Sequence, residues 1–130
     1  MFPARTYLGT ELDYSVRSRD GTKETVWAPW IRKWEESGRS IQDACAAVLW
    51  HLNSFGPMVL VLWSGGKSLH AWFRAHDATE SVLRTHLAYA VKLGADPVTW
   101  STCQLIRLPA GTRIANGNRQ IVHYFNPENL

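Results

Sequence analysis

The sequence predicts an α+β domain, and three observations carry that prediction. Met58 to Trp63 is an apolar run of strand length that turns at Gly65-Gly66 into Ser68 to Arg74, where polar and apolar residues alternate. A strand pair joined by a glycine turn reads as a β-hairpin. Ahead of it, Trp27, Trp30, Ile31 and Trp34, then Ile41, Ala44, Val48, Leu49 and Leu52, recur at helical spacing, and behind it Val82, Leu83, Leu87, Ala90 and Val91 do the same.

Thr6 to Asp13 predicts a first strand, ending in Glu11-Leu12-Asp13, and the polar run Ser15 to Thr22 predicts a loop. Lys23 to Phe55 predicts two helices broken at Gly38, the second capped by Ser40 and stopped by Gly56-Pro57. After the hairpin, Thr79 opens another helix that ends at Gly94, a glycine suited to the left-handed position after a helix, and Asp96-Pro97 leaves it. Gln104 to Leu108 and Gln120 to Phe125 predict short strands, separated by turn residues Pro109, Gly111, Asn116 and Gly117. The resulting order matches a ferredoxin-like β-α-β-β-α-β core with an extra C-terminal strand. In that arrangement the first and third strands are central antiparallel neighbours, so Glu11 and Asp13 come beside Ser68 and His70 on an open sheet face.

At 130 residues and 45% hydrophobic, the chain suits one domain with its own core. Cys45 and Cys103 lie far apart, which indicates neither a zinc knuckle nor a disulfide framework and points to reduced thiols in the cytoplasm. No run approaches the roughly 20 apolar residues of a membrane span, and no long apolar leader opens the chain. The net charge of +3, interleaved with seven tryptophans, suits stacking on bases and screening of phosphates.

Ser64-Gly65-Gly66-Lys67-Ser68-Leu69-His70 carries the chemistry. The glycines let the backbone approach an anion, Lys67 adds a cation, and Ser68, His70 and Trp72 share a face. Gly66-Lys67-Ser68 matches the end of a Walker A loop, but Val61 stands where that motif needs glycine and a strand follows where it needs a helix. Glu11 and Asp13 share a face, and clustered carboxylates repel unless a cation or proton lies between them, which suits Mg2+ or Mn2+. Asp96 is the third carboxylate that topology brings closest. Read singly, the acid pair is also a solvated strand end, His70 a hydrogen-bonded histidine of the sheet, and Trp72 a cover for it.

At these residues the chain resembles the archaeo-eukaryotic primase superfamily, in particular the primase-polymerase domains of phages, plasmids and related mobile elements. The first motif, an acid, any residue and an Asp, resembles Glu11-Leu12-Asp13; the second, Ser-x-His, resembles Ser68-Leu69-His70; the third, a small residue then an acid, resembles Ala95-Asp96. Gln104 to Arg113, followed by Gly117, Gln120 and Tyr124, is similar to the Arg-Leu-Pro-Gly region of the phage-type members, with Ala110 inserted at the Pro-Gly junction. The resemblance spans nearly all of residues 1–130 as a single catalytic core, with its acidic motif close to the N-terminus where many relatives carry more chain.

The resemblance implies a DNA primase or primase-polymerase. Glu11, Asp13 and Asp96 would hold divalent metals, and Ser64, Gly65, Gly66, Lys67, Ser68 and His70 would contact the phosphates of a nucleoside triphosphate. Arg107 and Arg113 would contact phosphate or a single-stranded DNA template, and a helicase or other replication protein would accompany the domain. The reaction is nucleotidyl transfer, with Glu11, Asp13, Asp96 and His70 as its catalytic set. The alternative on the same sheet is a non-catalytic single-stranded nucleic-acid-binding module or replication-initiator relative; a protein-interaction domain is the third class.

Overall fold

The computed structural model describes residues 6–12, 14–17, 23–25, 29–66, 68–100 and 110–130. The elements are β1 (Tyr7–Leu12), β2 (Ser15–Arg17), β3 (Lys23–Thr25), α1 (Pro29–Glu36), α2 (Ile41–Leu52), β4 (Met58–Trp63), β5 (Leu69–Arg74), α3 (Glu80–Lys92) and β6 (Ile121–Phe125), with 3-10 turns at Pro97–Trp100 and Pro127–Asn129. The fold is mixed α+β. A four-stranded sheet has the order β1-β5-β4-β6, each neighbour antiparallel, and β2 and β3 form a separate hairpin.

Successive side chains point to opposite faces of the sheet, and both faces are covered at its centre, since β4 is buried from Met58 to Leu62. Leu12, Leu69, Ala71, Phe73, Met58 and Val61 pack with Ala44, Cys45, Val48, Leu49 and Leu52 of α2 and Ala90 of α3 to form the main core. Leu8 and Ala75 meet Leu83 and Leu87 of α3 in a second cluster, and Val59, Leu60 and Leu62 form a third with Tyr7 and Trp72.

The helix boundaries follow the local chemistry. Ser40 Oγ accepts from Asp43 N at 3.1 Å and caps α2, and Thr79 Oγ1 accepts from Val82 N at 3.2 Å and caps α3. Gly94 follows α3 at φ +110°, a conformation that glycine alone adopts without strain. Tyr14 fills the space beside it: a Cβ on Gly94 would lie 2.1 Å from Tyr14 Cε1. The Tyr14 hydroxyl donates to Leu93 O, and burial, with a smaller contribution from Cys45, pushes its pKa up. This contact ties the exit of β1 to the end of α3.

Two expectations change. Ser15 to Thr22 was expected as a loop and Lys23 as the start of a helical region, but Ser15–Arg17 and Lys23–Thr25 pair as a hairpin in the register Ser15 to Thr25, Val16 to Glu24 and Arg17 to Lys23. Three residues are too few to show the apolar alternation that announces a strand, and among the described residues each run pairs with the other alone. The extra C-terminal strand takes the outer edge of β4, and β1, expected at the centre, has only β5 as a strand neighbour among the described residues. The expected strand Gln104 to Leu108 lies outside those residues.

Candidate functional site

The register of β1 on β5 is the foundation of the site. Glu11 lies opposite His70, and Leu12 opposite Leu69, so Glu11 and His70 face away from the core that Leu12 and Leu69 enter. His70 Nε2 stands 3.5 Å from Glu11 Oε1. Ser68 Oγ lies 3.3 Å from the same nitrogen and donates its own proton to Ser64 Oγ at 2.6 Å. A hydrogen on Nε2 would face both Ser68 Oγ and the Glu11 carboxylate, which can only accept when ionised. Ser64, Ser68 and His70 are all buried.

Asp96 joins the row from the other side of β1. Ala95 bridges Leu12 in antiparallel register, and Asp96 N donates to Glu11 O at 2.9 Å. Ala95 and Leu12 both enter the main core, so Asp96 stands opposite Glu11 on the other face. The backbone pairings thus set Asp96 beside Glu11 and Glu11 beside His70. The Asp96 carboxylate accepts from Val98 N at 2.9 Å and so caps the turn that follows.

The Ser64–Ser68 turn is held by its carbonyls. Ser64 O accepts from Gln120 Nε2 at 3.0 Å, and Gly65 O accepts from Asn116 Nδ2 and Asn118 Nδ2, both at 2.9 Å. Gly66 O accepts from Gln42 Nε2 at 3.3 Å and from the Trp63 indole. No described residue accepts from the amides of Gly65 or Gly66. With the carbonyls of Ser64, Gly65 and Gly66 claimed and the two glycine amides without an acceptor among the described residues, the turn suits an anion. Gly65 takes φ +82°, and a Cβ on Gly66 would lie 2.4 Å from Arg113 Nη1, so the Arg113 guanidinium sits directly on the turn.

Asp13, Lys67 and Arg107 lie outside the described residues, as does Cys103. Trp72 covers the sheet, packing on the Val59, Leu60 and Leu62 cluster and tilted against Tyr7 with ring centroids 5.9 Å apart. Asn116, Asn118 and Gln42 were missed as functional residues. The turn character of Asn116-Gly117 was visible in the sequence, but its attachment to Gly65, 51 residues away, was not.

Among the described residues no three His, Cys, Asp or Glu side chains gather as a metal site. Glu11 and Asp96 carry carboxylates, the oxygen donors that a hard divalent cation takes, on residues whose backbones are hydrogen-bonded. No helix among the described residues is long and apolar enough to cross a membrane. Comparison with protein-family models, curated proteins and solved structures gives no match.

Proposed function

We propose that this chain is a metal-dependent DNA primase or primase-polymerase core that transfers nucleotides from nucleoside triphosphates to a growing strand on single-stranded DNA. The observation that supports the reading is the row of backbone pairings that sets Asp96 beside Glu11 and Glu11 beside His70, near a glycine turn whose two amides have no acceptor among the described residues and which carries an arginine. The accompanying fold reading is a ferredoxin-like β-α-β-β-α-β core with an extra C-terminal strand.

The turn amides and Arg113 bind the triphosphate, and Lys67 and Arg107 add positive charge to phosphate or template. His70 turns its Nε2 hydrogen from Ser68 to a phosphate oxygen when the nucleotide binds, with Glu11 beside the ring. Glu11, Asp13 and Asp96 would hold Mg2+ or Mn2+, which supplies charge neutralisation at the reacting phosphate and a lower pKa for the attacking 3′-hydroxyl. In the reaction the hydroxyl oxygen bonds to the α-phosphorus and pyrophosphate leaves in line.

The test is incorporation of labelled nucleotides on a single-stranded template with Mn2+, Mg2+ or no metal. Asp13→Ala and Asp96→Ala abolish incorporation while leaving single-strand binding nearly intact, and retention of activity by both removes the assignment. An inert wild-type chain that still binds single strands would favour the non-catalytic binding module.

A further inference from the structure

β6 lies at the opposite edge of the sheet from β1 and has one strand neighbour, β4, among the described residues. An edge strand presents a row of backbone donors and acceptors, which proteins normally guard with charge, proline or a covering element. Ile121–Phe125 contains no proline, lysine or carboxylate, and Ile121, Val122 and Phe125 are exposed. Between this edge and α2 lies a cleft of about 250 Å³. It reaches down to Leu49 and Val61 of the core, and its walls include Trp50, 62% exposed, and Tyr124, whose rings meet edge to face at 6.2 Å. Asp43 stands at its rim, and no described residue donates a hydrogen bond to the Asp43 carboxylate.

We propose that this edge and cleft are a docking site for an extended segment of a partner protein, which adds a strand to β6, seats one large apolar side chain in the cleft and sets a lysine or arginine against Asp43. Strand addition draws affinity from the main chain and specificity from alternate side chains in pockets. The cleft is below the roughly 300–1,000 Å³ typical of sites for drug-sized ligands, which suits a single side chain. Its acidic rim suits a basic side chain better than a phosphate backbone, and Ile121–Phe125 itself carries no lysine or arginine to set there. The cleft opens on the helix side of the sheet, away from the Glu11 and His70 side chains, and Gln42 on its wall reaches Gly66 O of the turn.

The probe is a fluorescein-labelled ten-residue peptide of alternating threonine and valine with a central phenylalanine and a lysine two residues from it. Anisotropy is read with the full chain. Saturable binding is expected, falling at least tenfold when alternate peptide amides are N-methylated and at least tenfold in Ala46→Phe, which fills the cleft from an exposed position. Asp43→Lys should transfer the preference to a peptide with glutamate in place of lysine. Circular dichroism checks folding, and Trp50→Ala, at an exposed position, provides a second variant with the same expected loss. Failure to saturate, indifference to N-methylation, an unmoved charge preference, displacement by a thymidine oligonucleotide, or self-association of the chain through β6 would each overturn the proposal.

Discussion

Replacing Gly66 with alanine separates the chemistry of the turn from its folding. Gly66 stays outside the left-handed region, so alanine fits its backbone, and the only severe conflict of the added Cβ is with Arg113 Nη1 at 2.4 Å, the far end of a flexible side chain. Folding stability should therefore hold or rise by up to about 0.4–1 kcal/mol, the usual gain from a Gly→Ala change at a compatible position. The guanidinium, however, must leave the turn. A hydrogen bond to a charged group contributes about 1.5–3 kcal/mol, and because Arg113 is half-buried, the lower end applies, which converts to roughly tenfold weaker triphosphate binding. Calorimetric titration with a nucleoside triphosphate, paired with thermal unfolding, reads both quantities. Arg113→Ala should cost the same, and the double variant no more than either single one. Unchanged affinity in Gly66→Ala, or additive losses in the double variant, would refute the role given to Arg113.

Three further perturbations test the frame around the site. Gly94→Ala combines a left-handed backbone, costing about 1–2 kcal/mol, with overlap of the Tyr14 ring, costing about 1–3 kcal/mol more; urea unfolding should show the loss. Burial lowers the pKa of His86, whose Nε2 has no hydrogen-bond partner among the described residues, below its ordinary 6.5. The unfolded chain then binds the proton more readily, so this contribution to stability is complete above pH 6.5 and is lost as pH falls through the folded pKa. His86→Leu should flatten the urea midpoint between pH 7 and 5, and an identical slope in both proteins would contradict the linkage. Ser40→Ala removes the α2 cap at about 1 kcal/mol, and should also weaken triphosphate binding modestly because α2 holds Gly66 O through Gln42.

Much of the fold was legible because local signals agreed with tertiary ones. Ser40 and Thr79 cap helices where their side chains compete best for the first amides, and Gly65-Gly66 turns two strands whose alternation fixes which face holds His70. The neighbours Glu11 and His70 were foreseeable from the order of elements, and the register then put them opposite each other. The β2–β3 hairpin was not legible, because three-residue strands carry too little pattern. The tethers from Asn116, Asn118 and Gln120 were equally hidden, since a side-chain amide reaching a carbonyl more than 50 residues away leaves no periodic trace. Asp96 was placed by topology alone, and its position opposite Glu11 rests on a single bridge at Ala95 that no local preference announces.

The central claim is that Glu11, Asp96 and His70 border one site for a divalent cation and a triphosphate. Mn2+ titrated into the isotope-labelled chain with a non-hydrolysable nucleoside triphosphate tests it most directly, because the ion broadens the resonances of nearby nuclei. The account predicts early broadening at Glu11, Asp96, Ser68 and His70, with Glu80 and Ile114 unaffected. Broadening centred elsewhere, or Glu11 and Asp96 left sharp at saturating nucleotide, would contradict it.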